Sequence, residues 1–223
     1  MPFSSAATGT MRAYPAAIIA LLIAIAAFVI SLPIFLSPKV LAPLIAEDGV
    51  IERLTVVAYL VCIVVVLAGA IRRSLRESLI LSAPLALFAM RELDFQSRFT
   101  TMGILKTKYY VSPDVPILEK LVVIVCLVAI IWGGIQFVKL YARRFFDAAL
   151  ELHPGAICVG LAVLLFAISS TVDGIGRKAL GFGIETDQYT RAFFQTLEEV
   201  SELGAPLFLI LAAVTRFHKA GQP

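Results

Sequence analysis

In the stretch 85–103, LALFAMRELDFQSRFTTMG, an apolar run meets Arg91, Glu92, Asp94 and Arg98 with no proline or glycine before Gly103. Either the chain leaves an apolar phase for water at this point, or a helix carries its charges along with it. The sequence favours the second reading, because RELDFQSRF is strong helix-forming sequence joined directly to the apolar run.

The rest of the chain supplies the apolar phase. Of 223 residues, 60% are hydrophobic and only 16% are charged, too apolar a balance for an ordinary soluble domain. No charge occurs between Arg12 and Lys39, and the runs 54–71, 121–138 and 154–172 each approach the thickness of a bilayer's hydrocarbon core. The first run is longer than a signal-peptide core and lacks a small-x-small cleavage site, so it reads as a retained helix. Cys62, Cys126 and Cys158 all lie within apolar runs and read as small packing residues.

Two further apolar segments, 78–90 and 203–215, are short, each roughly 20 Å of helix. Both continue into polar helix-forming sequence, the second being preceded by TRAFFQTLEEVSE, and a polar extension is tolerated at membrane depth when its charges face the bundle interior. The predicted fold is therefore all-α, a single integral membrane domain over 1–223, a polytopic bundle of six transmembrane helices. The expected spans are 15–36, 53–71, 77–98, 118–139, 154–173 and 193–215. With six spans, Arg12, Arg72, Arg73, Arg76, Lys139, Arg143, Arg144, Arg216 and Lys219 share one face. That face carries nine basic and three acidic residues, the other ten basic and thirteen acidic. The positive-inside rule makes the first face cytoplasmic, with both termini on it.

The same arrangement places ionisable groups of four helices at one depth near the outer face. Helical spacing gives the stripes Asp48, Glu52, Thr55, Tyr59 and Cys62; Arg91, Asp94 and Arg98; Ser170, Asp173 and Arg177; and Arg191, Gln195, Glu198 and Glu202. Asp94 and Arg98 stand close enough to pair. The candidate ligand-binding residues are Glu52, Arg91, Glu92, Asp94, Arg98, Asp173, Arg177, Glu198, Glu199 and Glu202. Glu92 and Glu202, nearest the apolar part of the short spans, are the candidate metal or proton ligands. Pro84 and Pro206 lie within the short spans, where each frees a backbone carbonyl and reads first as a kink for packing; the carbonyl freed by Pro206, a turn from Glu202, could instead join a cation site. Trp132, Gly133 and Gly134 read as a helix-packing site. The segment 100–120, with Pro113 and Pro116, is either a lid over the outer end or a plain connection.

Residue inventory narrows the chemistry. His153 and His218 fall on the cytoplasmic side, so neither haem nor His-ligated zinc is expected at the outer cluster, and no cofactor is named. A Ser-His-Asp arrangement is likewise missing there. GIGRKALG at 174–181 lacks the strand context of a nucleotide fingerprint, and no basic patch for nucleic acid occurs. Carboxylates with guanidinium partners suit protons and hard cations such as magnesium or calcium, while the arginines suit a lipid phosphate.

The segments RELDFQSRFTTMGILKTKYY, EKLVVIVCLVAIIW and LEEVSELGAPLFLILAAV resemble a family of uncharacterised bacterial six-span inner-membrane proteins, over about Glu47 to Arg216. The resemblance implies a bacterial inner-membrane setting and brings no activity with it. The chain lacks the zinc-ligating histidines of the alkaline-ceramidase-like membrane hydrolases, so that activity is not carried over.

The leading expectation is a small inner-membrane protein whose cluster binds a cation, proton or hard divalent metal, or a small charged solute, in the manner of a carrier. Two alternatives stay open: a membrane-embedded enzyme acting on lipid at the outer leaflet, and a non-catalytic subunit of a membrane complex. Whether the protein is an enzyme is left open. The expected partners are the lipid bilayer, a cation or lipid headgroup, and another membrane protein. Ion pairing between helices, with no ligand, would account for the same residues.

Overall fold

The computed structural model describes residues 5–69, 74–104, 106–181 and 187–220, with the side chains of 5–13, 176–177, 180 and 216–220 left outside that description. Arg12, Arg72, Arg73, Arg216, His218 and Lys219, read above as cytoplasmic-face residues, therefore lie outside the described side chains. Among the described residues every regular element is a helix and no strand occurs. In order come α1 (Ser5–Phe35), α2 (Pro38–Leu41), α3 (Val50–Ala68), α4 (Leu75–Glu92) and α5 (Phe95–Arg98). They are followed by α6 (Thr107–Val111), α7 (Ile117–Leu150), α8 (Pro154–Val172), α9 (Ile175–Gly181) and α10 (Gln188–Ala220).

Four of the described helices are long and apolar enough to cross a membrane: Tyr14–Phe35 within α1, then α3, α7 and α8. The helix α10 occupies the centre and packs against α8, α3 and α1, while α4 packs on α3. Small residues set the spacing. Cys158, Ala162 and Leu165 of α8 meet Ala205, Phe208 and Ala212 of α10 and Ile18 of α1. Gly204 marks the tightest approach, since a Cβ there would lie 2.8 Å from Ile25 Cδ1 and 2.9 Å from Leu165 Cδ1. On the other side of α10, Leu209 and Ile210 rest against Tyr59 and Cys62 of α3 and Leu85 and Ala89 of α4.

The connection from α2 to α3 is a tight fold-back that sets the start of α3. Ile51 N–H donates to Leu44 O and Gly49 N–H to Ala46 O, so a Cβ on Gly49 would lie 2.5 Å from Ala46 O. Only glycine fits there. The Asp48 backbone N–H, at φ 64°, donates to the Glu52 carboxylate one turn into α3.

Two expectations need correction, and one open alternative is decided. The third apolar helix does not run on to Arg98: α4 ends at Glu92, Asp94 takes the left-handed conformation at φ 46°, and the short α5 starts in a new direction. Asp94 N–H donates to Arg91 O and closes the end, a place usually taken by glycine but open to aspartate. The segment 100–120 is not a lid on the bundle. Tyr109 and Val115 are buried against Val123 of α7, and Thr101 and Tyr109 donate to the Glu119 carboxylate, so the segment docks on the first turns of α7. Gly133 and Gly134 have open space where a Cβ would be, and Trp132 is exposed, so α7 makes no close helix contact there among the described residues.

Candidate functional site

The charged residues gather at the end of the bundle where α3 and α10 begin and α4 and α8 finish. Arg91, the penultimate residue of α4, points outward and folds back over the Phe166 ring of α8, its Cζ 5.2 Å from the ring centroid. From there its guanidinium forks. Nη1 donates to Glu92 Oε1 at 2.8 Å and Nη2 to Glu202 Oε1 at 2.9 Å. Neighbouring residues on a helix do not normally face one another, so the Arg91–Glu92 contact depends on Glu92 pointing inward while Arg91 curls round. The Arg91 side chain is 43% exposed, those of Glu92 and Glu202 only 4% and 10%. Ser169 Oγ of α8 donates to the same Glu202 oxygen at 2.7 Å. Three helices thus meet on one carboxylate.

Beneath the fork lies an aromatic floor. The Tyr59 ring stacks on Phe88 at 5.8 Å, and Phe88 sets its edge to Phe166 at 5.0 Å. Thr55, buried one turn from Tyr59, returns its hydroxyl to Ile51 O.

Two more carboxylates complete the group. Glu199, one turn before Glu202 on α10, is buried at 8% exposure, and Glu202, Glu52 and Glu92 are among the charges it feels. It has neither an ion pair nor a hydrogen bond among the described residues. Glu52 of α3 is half-buried and, among the described residues, accepts from the local Asp48 N–H. Of these four acidic side chains, Glu92 and Glu202 share the forked guanidinium of Arg91. Between α3 and α4 lies a partly open cavity of ≈110 Å³, lined by Asp48, Glu52, Arg53, Val56, Glu92 and Leu93.

Of the sequence-predicted site residues, Glu52, Arg91, Glu92, Glu199 and Glu202 are brought together. Glu198 is only half-buried. Asp94 and Arg98 do not pair with each other; the break after Glu92 separates them from the helix, and Arg98 Nη2 instead reaches Asp48 Oδ1 at 2.9 Å on the exposed rim. Asp173 lies exposed past the end of α8, where its backbone carbonyl accepts from Lys178. The side chain of Arg177 falls outside the described residues. Arg191 and Gln195 are exposed, although Gln195 Nε2 donates to Ile45 O at 2.7 Å. Among the described residues no three His, Cys, Asp or Glu side chains are arranged to hold a metal ion; Glu92 and Glu202 are bridged by Arg91 instead.

The stripe reading missed Ser169 and Phe166 and chose the exposed Ser170. The signal was present in the apolar spacing of α8, whose buried residues Cys158, Ala162, Leu165, Ser169 and Val172 recur every three or four positions and point Ser169 inward. Two orphan hydroxyls also lie buried, Ser82 Oγ on α4 and Ser201 Oγ on α10, neither with a hydrogen-bond partner among the described residues.

The fold and site together define an all-helical protein with several helices suited to a membrane and a carboxylate-rich cluster at one end. Comparison with protein-family models, with curated proteins and with solved structures yields no match.

Proposed function

We propose that this is a six-span protein of a bacterial inner membrane that binds a small cation, a proton included, at the Glu52–Arg91–Glu92–Glu199–Glu202 cluster. The observation that carries the reading is the crowding of acidic side chains: Glu92 and Glu202 share the Arg91 guanidinium, and Glu199, buried one turn from Glu202, has neither an ion pair nor a hydrogen bond among the described residues. A buried charge without a partner is costly, so such a group calls for a positively charged occupant. Interhelical ion pairing alone would be better served by one arginine for each carboxylate.

Six spans are supported by α4 and α10. The helix α4 has 18 residues, about 27 Å of rise against a hydrocarbon core of about 30 Å, and α10 has 33 residues wrapped by its neighbours. Counting both leaves the two termini on one face together with the arginine-rich connections, and puts the cluster near the outer face. If the cation crosses, it must pass inward from Glu202 and Tyr59, and buried Ser78 and Ser82 of α4 and Thr215 of α10 are among the polar groups on that side.

The test is thermal unfolding of the purified protein across pH and across monovalent and divalent salts, with Glu92→Gln and Glu202→Gln alongside. A ligand that binds only the native state raises its stability by mass action. The expected result is a Tm that depends on proton or cation concentration in the wild type, with that dependence lost in the variants. Variants that are merely less stable, beside a wild type indifferent to every ion and to pH, would make the cluster a set of structural ion pairs.

A further inference from the structure

We infer that the last turns of α7, from Lys139 to Leu150, form an arm that lies along the membrane surface and binds anionic phospholipid headgroups. The inference rests on α7 and α8 crossing the bilayer and makes no use of cation binding at the other end of the molecule.

Lengths carry the first step. The helix α7 has 34 residues, about 51 Å of rise, against a hydrocarbon core of about 30 Å. Its uncharged run stops before Lys139, which leaves about 18 Å of helix over. The helix α8 begins at Pro154, and its 19 residues, about 28 Å, have no length to spare. Packing fixes the level at which α8 enters. Cys158 of α8 meets Ile18, near the start of the apolar part of α1, and Ala212, near the end of α10, while Gly155 lies against Thr215. Pro154 therefore stands at the boundary where α1 enters and α10 leaves.

The surplus of α7 is tied to that same boundary by a tight corner. The His153 N–H donates to Ala148 O at 2.9 Å, and its Nδ1 accepts from the Gly155 N–H at 3.1 Å, so one residue closes α7 and caps α8. An arm projecting straight into water would carry the apolar start of α8 out with it. Lys139 marks the level where α7 leaves the hydrocarbon and Pro154 the level where α8 enters, so the arm between them runs along one surface. Gly133 and Gly134 precede Lys139 with open space around them and give α7 a place to bend.

The side chains suit that position. Lys139, Arg143, Arg144, Asp147 and Glu151 fall on one side of the helix, and Tyr141, Ala142, Phe145 and Phe146 on the other, the pattern of a helix lying at an interface. Phe146, Leu150 and Leu152 are exposed, a costly arrangement in water and a favourable one against acyl chains. Between Lys139 and Phe146 there are three basic residues and no acidic one. All three are exposed, and Arg143 approaches Asp147 no closer than 4.0 Å, a loose pair that leaves the guanidinium to an outside anion. Forked donors of this kind match a phosphate, and a surface dense in phosphate is what the arm lies on.

The full-length protein is reconstituted in nanodiscs of phosphatidylcholine, with and without phosphatidylglycerol of the same acyl chains, and Tm is read in each. The expected result is a Tm about 2–4 °C higher in the anionic discs, a difference that fades at high salt and is lost in the double variant Arg143→Gln with Arg144→Gln. A folding defect in that variant would lower Tm in the neutral discs as well, which separates the two effects. Equal Tm in the two discs, or a difference that survives in the double variant, overturns the inference. A second measurement places the arm. Trp132 is the single tryptophan, so Trp132→Phe with Phe146→Trp moves the fluorophore onto it. Brominated lipid should quench the moved tryptophan and aqueous iodide should not, with wild-type Trp132 as the control for α7 crossing the bilayer. Iodide quenching at position 146 beside bromolipid quenching at Trp132 puts the arm in water and overturns the inference while the crossing stands. No bromolipid quenching at either position removes the crossing and the arm together.

Discussion

The helices α7 and α10 are nearly the same length, 34 and 33 residues, and have opposite surroundings. The helix α7 is among the most apolar of the chain, yet it is exposed almost everywhere: Val125 is 67% accessible, Trp132 65% and Ile117 76%. The helix α10 carries Arg191, Glu198, Glu199 and Glu202, yet it is the most enclosed, with Phe208 fully buried and Ser201 and Thr196 nearly so. For a protein folded in water the distribution is the reverse, apolar groups inside and polar groups outside. In a bilayer it is the expected one, because lipid covers apolar surface at no cost while polar groups must find partners inside the protein. High hydropathy here marks the exposed surface, and the polar helix marks the core.

The largest effect should come from testing that inversion directly. Phe208→Ala empties a fully buried site between α10 and α8 and should destabilise the protein by about 3–5 kcal/mol, the usual range for such truncations. Val128→Ala on α7, at 60% exposure, should change stability by less than about 0.5 kcal/mol. Reversible unfolding in mixed micelles measures both. A loss at Val128 comparable to that at Phe208 would mean that α7 is packed against another protein rather than lipid, and the comparison would have to be redrawn around that partner.

The contrast also shows how far the sequence could be read. The four strongly apolar helices were legible because an uncharged run of bilayer length is a signal needing no tertiary information. The gathering of Glu52, Glu92, Glu199 and Glu202 at one end was legible because helical rise fixes depth once the direction of each span is known. What escaped depends on single backbone angles and on azimuth. Nothing in ELDF announces that Asp94 will take a positive φ and break the helix, since glycine or proline is the usual marker and neither is present. The pairing of Arg98 with Asp48 follows from that break and was hidden with it. Ser169 was missed in favour of Ser170 because the stripe was extended backward from Asp173, which proves to lie past the end of α8. The docking of 100–120 on α7 depends on Tyr109 and Glu119, groups whose types suited a loop at the interface equally well.

The next effect in size concerns the polar end of α10. Arg91 joins α4 to α10, and its removal leaves Glu92 and Glu202 facing each other with only Ser169 donating. Breaking a fully buried pair costs about 3–5 kcal/mol, and the 43% exposure of the Arg91 side chain reduces this through solvent screening, so Arg91→Ala should cost about 2 kcal/mol. Arg91→Lys should fall between, keeping the charge and losing the fork. A double-mutant cycle with Glu202→Gln separates the pairwise part: the two losses should be clearly less than additive. Strict additivity would show that Arg91 acts through Phe166 and Glu92 alone.

The smallest effect lies at the exposed start of α10. Thr190 donates to Asp187 through its N–H at 2.7 Å and its hydroxyl at 3.0 Å, and these bonds hold the Asp187 carboxyl below its ordinary range. A folded-state value below the unfolded one means that the contribution is present at neutral pH, above the unfolded pKa of about 3.9, and is lost as pH falls through the folded value. Asp187→Ala should therefore lower Tm slightly near neutral pH and leave it unchanged in strong acid, whereas Asp187→Asn, which still accepts a capping bond, should lose less. The sizes matter more than the signs. If α10 is held by its enclosed face, freeing its first turn leaves Phe208 and Glu202 in place and the deficit stays below that of Arg91→Ala. A deficit as large as that one would mean that the helix is held from its end, and that its polar character reports an aqueous entry rather than the centre of the bundle.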